Sequence, residues 1–270
     1  MYTSGMYEMY EMKINKERAL KAFKDYTGNY DLDSVSIKLK IAHTYRVAGL
    51  SERIAESIFS EKDSCCIDFS WLLGLLHDIG RFEQVTKYGT FRDALSVDHA
   101  ELGADILFHD GIFDSFVSRE ETDLTQKEFQ RMKAVAEIVI RLHNKLKIPE
   151  NLDAQIRTYA KILRDADKID IFRVLTEPPY YDGRNLAGLS ARTELMQYVK
   201  EHRCVPRPAG NFQANELEAL ISQCCMAFEL EYLKSREIVI EQGYLKKLLE
   251  QNSEQLYVVK TEIMKAWKML

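Results

Sequence analysis

Histidine and aspartate residues recur in this chain at positions that helical periodicity places on apolar faces. Five of the six histidines lie between positions 43 and 143, and two of them are followed directly by aspartate. Imidazole and carboxylate ligands together suit Fe, Mn, Zn or Ni better than Ca. Two such ions about 3.5–4 Å apart activate a shared water and clamp a transferring phosphoryl group, so no nucleophilic Ser or Cys is needed. The candidate ligands are His43, His77, Asp78, His99, His143 and Asp167.

Asp167 has the clearest helical register among the candidates. Apolar residues lie one and two turns away on either side, namely Ala160, Leu163, Ile171 and Val174. This pattern predicts that Asp167 faces the core, whereas Asp165 neighbours Lys161 and Lys168 and is predicted to lie on the surface. An unpaired buried carboxylate is costly, and a metal ion is one of the few partners that makes such a position tolerable.

Each histidine also has a simpler interpretation when it is considered alone. His43 and His77 are compatible with satisfied core histidines, and His143 with a cation that complements a helix C-terminus. His202 also follows an apolar stripe, so the criterion is not unique to the candidates. Independent burial of so many polar groups is improbable unless they meet. The set therefore predicts convergence on one or two metal ions, with Asp78 bridging the pair.

The order of these motifs resembles the HD-domain superfamily of metal-dependent phosphohydrolases. The resemblance rests on His43, on His77-Asp78 within Leu-Leu-His-Asp-Ile-Gly-Arg, and on Asp167 within Arg-Asp-Ala-Asp-Lys-Ile-Asp. These four residues match the family's signature, and His99 and His143 match the histidines that two-metal members add. The resemblance covers about positions 35 to 175 and offers no substrate assignment. It implies an all-α fold and divalent metal cofactors, two in number, drawn from Fe, Mn, Ni, Zn or Mg.

A second His-Asp pair, at His109 and Asp110, competes with the first for the signature position. Gly111 follows it at a predicted helix end, whereas an apolar run precedes His77 and predicts burial. The His77 pair is therefore preferred. Three basic residues close to the ligands in sequence are predicted to contact a phosphate, namely Arg81, Lys145 and Lys168. For each of them, the alternative is a solvated charge on the surface. Arg81, which stands where many relatives carry Lys, is the preferred contact and is counted with Asp78 as catalytic.

Helical periodicity dominates the whole chain, and no convincing alternation typical of strands is found. A very apolar third helix is predicted over 71–78, stopping near Gly80, and Ser96 is predicted to cap the next one. Thr125 and Glu128 form a predicted capping box at the start of a later helix. The expected organisation is a short N-terminal segment and helix over 1–30, a metal-binding HD core over 31–175, and a helical extension over 176–270 packed on that core.

Composition excludes several other classes of protein. The formal net charge of −5 provides no basic field for an extended nucleic-acid groove, and no apolar stretch is long enough to span a membrane. The N-terminus lacks the basic start and apolar centre of a secretory signal, and none of the five cysteines forms a CxxC pair. A cytoplasmic protein with reduced thiols is expected, and a homodimer is left open.

The resulting functional prediction is hydrolysis of a nucleotide or another small phosphorylated metabolite by a metal-activated water. Two alternatives from other classes stay open. The first is a di-iron oxygenase that uses the same ligand set, and the second is a non-catalytic interaction module stabilised by metal. The metal content and optical spectrum of the purified protein would distinguish them.

Overall fold

The computed structural model describes residues 12–178, 185–206 and 214–269. These residues form helices and no strand, which confirms the all-α fold class. The helices are α1 (Lys16–Thr27), α2 (Val35–Ala55), α3 (Ser64–Leu76), α4 (Ile79–Tyr88), α5 (His99–Ala104), α6 (Phe113–Phe116), α7 (Gln126–Leu142), α8 (Ala154–Val174), α9 (Thr193–Lys200), α10 (Glu216–Cys224), α11 (Leu233–Gln242), α12 (Tyr244–Leu249) and α13 (Glu254–Ala266). A π-helical turn, Asp105–His109, continues α5.

The chain divides into two compact units, Met1–Ala166 and Asp167–Leu270. The predicted boundary between the core and the extension, at 175, stays a prediction. Parts of two predicted features lie outside the described part of the chain. They are residues 1–11 of the N-terminal segment, and Pro179 and residues 207–210 of the predicted loops. Among the helices that are described, none combines the length and apolarity that a membrane span requires.

The first unit is built around the crossing of α2 and α3. The α3 sequence is apolar on nearly every face, and its central residues are almost completely buried. Gly74 allows the two backbones to approach, because a Cβ atom at this position would lie only 2.7 Å from the Ala48 Cα. This tight crossing brings the C-terminal end of α3, where His77 follows, against the middle of α2, where His43 lies.

Helix caps fix the ends of the elements that carry the site. Thr125 and Glu128 form the predicted capping box at the start of α7, with both reciprocal hydrogen bonds present. The predicted cap at Ser96 is wrong. Asp98 caps α5 instead, and its carboxylate accepts from the backbone N–H groups of Ala100 and Glu101. The helix therefore begins at His99, and His99 lies in its first turn.

The second unit is organised by a buried carboxylate that joins two helix starts. Glu218, which is 3% exposed, lies in the first turn of α10. Its side chain accepts from the Asn215 N–H in a capping box, and from the backbone N–H and Nε of Arg192, which precedes α9. Apolar side chains fill the space behind these helix starts, including Leu217, Leu220, Ile221, Leu248, Leu256 and Val259.

Candidate metal centre

His77 and Asp78 lie at a break between two helices, and this differs from the single helix ending near Gly80 that was predicted. The α3 helix ends at Leu76, Asp78 has φ −105° and ψ 16°, and α4 begins at Ile79. Asp78 occupies the position that caps α4, yet its side chain makes no capping hydrogen bond. The break therefore directs the carboxylate away from the α4 backbone, and α4 itself was missed by the sequence analysis.

Four histidine rings surround the Asp78 carboxylate, two at each oxygen. The Nε2 atoms of His43 and His77 each lie 3.5 Å from Asp78 Oδ2. The Nε2 atoms of His99 and His143 lie 3.5 and 3.8 Å from Asp78 Oδ1. All five residues are at most 4% exposed. The structure thus brings five of the six predicted ligands together, and they come from α2, the α3–α4 break, α5 and the end of α7.

The spacing of these atoms fits divalent metal ions. Two ligand atoms held about 2.1 Å from one ion lie about 3.0–3.4 Å apart at octahedral or tetrahedral angles. Among the described residues, three groups have ligand atoms that all lie within 4.8 Å of one another, and two of them are fully buried: His43, His77 and Asp78, and Asp78, His99 and His143. Asp78 is common to both groups, as expected for a carboxylate that bridges two ions.

The hydrogen bonds of three rings fix which nitrogen is available as a ligand. His77 Nδ1 lies 2.7 Å from the Gly74 carbonyl oxygen, and His143 Nδ1 lies 2.7 Å from that of Ile140. A carbonyl oxygen only accepts, so each Nδ1 donates a proton to it, and the Nε2 atom of each ring faces the site. His99 Nδ1 is held in the same way by the Asp93 carboxylate at 2.9 Å.

His99 and His143 approach each other closely beside Asp78. Their Nε2 atoms are 2.9 Å apart, and both Nδ1 protons are already donated elsewhere. Two ring nitrogens at this distance need a proton or a metal ion between or beside them. Burial lowers the pKa of His99 and outweighs the opposite effect of the hydrogen bond that His99 donates to Asp93, so the ring is neutral at neutral pH. The pair therefore offers two nitrogen ligands beside Asp78 to a metal ion.

The charge of Asp78 is also favourable for metal binding. Burial raises the pKa of the Asp78 carboxyl, but the Lys40 ammonium, the His77 ring and the Arg81 guanidinium outweigh it and hold the pKa well below its usual range. The carboxylate is consequently ionised in spite of its burial. Its position at the N-terminus of α4 adds a favourable interaction with the helix dipole.

A polar layer behind the ligands holds them in place. Asp93 accepts from His99, from Arg81 Nη1 at 3.0 Å and from Gln84 Nε2 at 2.9 Å. Burial raises the pKa of Asp93, but the hydrogen bond from His99 and the charge of Arg81 bring it far below the usual value. The Asp93 carboxylate is therefore ionised. It is the kind of acidic partner that usually orients a metal-bound histidine.

Two residues that the sequence analysis missed contact the ligands directly. They are Asp93, described above, and Lys40, whose Nζ donates to Asp78 Oδ2 at 2.6 Å. Lys40 precedes His43 by one helical turn, which is the only signal in the sequence that could have indicated it. Asp93 begins a single 3-10 turn, Asp93–Leu95, between α4 and α5, which is too short for periodicity to predict, and nothing in the sequence singles it out.

The three cations predicted to contact substrate all form ion pairs in the structure. These pairs are Arg81 with Asp93 at 3.0 Å, Lys145 with Asp98 at 2.6 Å, and Lys168 with Glu229 at 2.9 Å in the second unit. A contact with substrate would require these partners to be exchanged or shared. The substrate roles of these residues stay predictions.

The burial predicted for the two acidic residues of α8 is wrong. Asp165, expected on the surface, is completely buried, while Asp167, expected in the core, is only partly buried. The reason is that α8 is buried on several faces, as the burial of Tyr159, Ile162 and Ala166 demonstrates, so one apolar stripe does not define its inner side. Asp167 begins the second unit, and its role as a ligand stays a prediction.

The competing His-Asp pair lies on the surface. The His109 side chain is 66% exposed and lies 3.3 Å from Asp105, one turn earlier, while Asp110 is exposed at the end of the π-helical turn. Gly111 follows with a φ of 80°, a left-handed conformation that favours glycine and ends the helix. The His109-Asp110 pair is therefore exposed and the His77-Asp78 pair is buried, as the flanking sequences predicted.

Comparison with known proteins identifies one domain family in this chain. The model of the HD domain matches residues 41–171, a segment that contains all six predicted ligands. Comparisons with curated proteins and with solved structures give no match. The matched segment, the helical fold and the buried cluster of histidines around Asp78 agree with one another. Residues 41–171 therefore form an HD domain, and the proteins of the HD-domain superfamily are mostly metal-dependent phosphohydrolases.

Proposed function

We propose that this protein is a phosphohydrolase with two divalent metal ions, acting on a nucleotide or another small phosphorylated metabolite. One observation carries the proposal. The two oxygens of Asp78 face different pairs of histidines, His43 with His77 and His99 with His143. A mononuclear site would need only one of these pairs, and a structural histidine cluster would not need an ionised carboxylate at its centre.

Each proposed ion has its own nitrogen ligands and shares Asp78. The first would be held by His43, His77 and Asp78 Oδ2, with Asp167 added because the family signature includes it. The second would be held by Asp78 Oδ1, His99 and His143. Four imidazole ligands favour Fe, Mn, Zn or Ni over Mg, because the softer nitrogen donors suit these metals better.

The bound ions would supply the activated water and would neutralise phosphoryl oxygens. The protein holds the geometry for this chemistry. Asp78 sets the spacing between the two sites, and Asp93 fixes the ring of His99. Arg81 is tied to both carboxylates, with Nε 3.5 Å from Asp78 Oδ1 and Nη1 3.0 Å from Asp93. Its guanidinium is thereby kept beside Asp78 Oδ1, where it would share charge with a phosphate oxygen when the second ion is bound.

Metal analysis combined with a substrate panel tests this proposal. The purified protein should contain up to two transition-metal ions per chain, and it should hydrolyse phosphoesters from a panel of nucleotides and phosphorylated metabolites when supplied with Mn, Fe, Co, Ni or Mg. Asp78→Ala should lose metal and activity, whereas Asp110→Ala, at the exposed His-Asp pair, should retain both. Equal losses in the two variants would contradict the assignment. An iron-loaded protein that consumes oxygen and hydrolyses nothing would instead support the di-iron oxygenase.

A further inference from the structure

Two cations border the carboxylate at the centre of the proposed site. Lys40 Nζ lies 2.6 Å from Asp78 Oδ2, and Arg81 Nε lies 3.5 Å from Asp78 Oδ1. Both side chains are 13% exposed, and both lie against the ring of Phe91, at 5.4 and 5.8 Å from its centroid. Each oxygen of Asp78 therefore has one cation as well as two histidines.

The two cations differ in how firmly they are held. Arg81 Nη1 donates to three acceptors, the side chains of Gln84 and Asp93 and the carbonyl oxygen of Phe91. The hydrogen bond found for Lys40 is to Asp78 itself, at the end of a flexible four-carbon side chain. Arg81 is thus fixed by its surroundings, whereas Lys40 can turn away from Asp78 without breaking that network.

The Lys40 ammonium interacts with the oxygen that the first ion would also use. Asp78 Oδ2 is the atom that faces His43 and His77, each at 3.5 Å. An ion bound among these three groups would add positive charge close to the ammonium and would draw on the same carboxylate lone pairs. Like charges at such short range repel, so metal binding and the Lys40–Asp78 ion pair oppose each other.

We propose that Lys40 changes partner when the site is loaded with metal. In the metal-free site it neutralises Asp78, and in the loaded site its ammonium binds a non-bridging oxygen of the substrate phosphate. Because Lys40 lies one turn before His43 on α2, its ammonium would stay close to Asp78 Oδ2 and His43 when it changes partner. Lys40 is thereby the mobile phosphate contact of the site, while Arg81 is its fixed cation. This inference rests on the proposed function, because it assumes that a phosphate binds at the metal site.

The proposal predicts effects of opposite sign on metal and on phosphate. In Lys40→Met, which retains much of the side-chain volume without the charge, Mn²⁺ should bind the metal-free protein about tenfold more tightly. Inorganic phosphate should bind the Mn²⁺-loaded variant about tenfold more weakly. A purely structural role would not separate the two affinities in this way. Lys38→Met is the matched control, because Lys38 lies on the same helix with a side chain 60% exposed and pairs with Asp33.

Calorimetric titration of Mn²⁺ and of inorganic phosphate, with thermal melts of each variant, measures these effects. Lys40→Arg is the second variant, for use if Lys40→Met fails to fold. It keeps the positive charge and should retain phosphate binding. Weaker Mn²⁺ binding in Lys40→Met, or unchanged phosphate binding, would overturn the proposal, as would wild-type protein that binds neither. If Lys40→Met still hydrolyses substrate and binds Mn²⁺ and phosphate as Lys38→Met does, the role of Lys40 is wrong but the proposed phosphohydrolase function is retained. If Lys40→Met binds Mn²⁺ more tightly and phosphate more weakly, but the wild-type protein hydrolyses no substrate, the role of Lys40 in phosphate binding is retained and the proposed phosphohydrolase activity is wrong.

Discussion

Gly80 and Gly103 lie against each other where α4 meets α5, directly behind the candidate metal centre. A Cβ atom on Gly80 would lie 2.6 Å from the Gly103 backbone nitrogen and 3.0 Å from its Cα, and it would come closer still to the His99 carbonyl oxygen. These are backbone atoms and cannot move independently of their helix. The two glycines therefore allow α5 to approach the His77-Asp78 break closely enough for His99 to reach Asp78.

Substitution of Gly80 should damage both stability and the second metal site. Gly80→Ala should force α4 and α5 apart, lower the free energy of unfolding by about 1–3 kcal/mol, and weaken metal binding at His99. Gly49→Ala is the control, because Gly49 lies inside α2 with open space around its Cβ position, and this change should stabilise the protein by about 0.5–1 kcal/mol. Denaturant unfolding and metal titration measure the two effects. Metal binding by Gly80→Ala equal to that of wild type would contradict the packing argument.

Glu218 should make the second unit sensitive to acid. Burial raises the pKa of Glu218, but hydrogen bonds from Arg192 and Asn215 outweigh it, so the pKa lies below the usual value. Because the folded-state pKa is below the unfolded one, the stabilisation is complete above about pH 4.3 and is lost as the pH falls through the folded value. Glu218→Gln should therefore be less stable than wild type at pH 7, and the difference should shrink towards pH 3. Denaturant unfolding across this range measures it, and a constant difference would refute the linkage.

Much of the site could be predicted because its ligands lie on regular helices or directly beside them. His43 lies within α2 and His143 follows the last turn of α7, and in both places apolar neighbours at helical spacing predict an inward direction. The capping box at Thr125 and Glu128 was equally readable, since it depends on two residues three positions apart. These predictions need only local information, which one sequence contains.

The parts that failed depend on tertiary contacts. On α8, periodicity gave the wrong order of burial for Asp165 and Asp167, because a helix covered on several sides has no single inner stripe. Asp93, at the start of a short 3-10 turn, is positioned by its hydrogen bonds with Arg81 and His99, and no spacing rule connects these three residues. The pairing of Lys40 with Asp78 likewise joins α2 to the α3–α4 break, which a sequence does not specify.

Asp93 should control the second metal site through the orientation of His99. In Asp93→Asn the ring would lose its anionic partner, and Arg81 would lose one of its acceptors. We expect the affinity for the second ion to fall about 10–100-fold while the first ion stays bound, since loss of such a carboxylate typically has an effect of this size. Asp33→Asn, at a fully exposed side chain, is the control. Competition titrations with a metal-binding dye measure both ions, and equal weakening of both sites would contradict a role confined to His99.

The outer histidines should separate the two ions in a metal analysis. His99 and His143 face Asp78 Oδ1, whereas His43 and His77 face Oδ2. Loss of one ligand should therefore weaken the second ion without emptying the first site. His99→Ala or His143→Ala should lower the stoichiometry towards one ion per chain and reduce phosphohydrolase activity, while the fold survives on its apolar core. His109→Ala, at a largely exposed side chain, should change neither quantity. Elemental analysis beside a thermal melt measures both. If His99→Ala or His143→Ala binds as many metal ions per chain and hydrolyses substrate as fast as wild type, that histidine has a structural role. The centre is then mononuclear or built from other ligands.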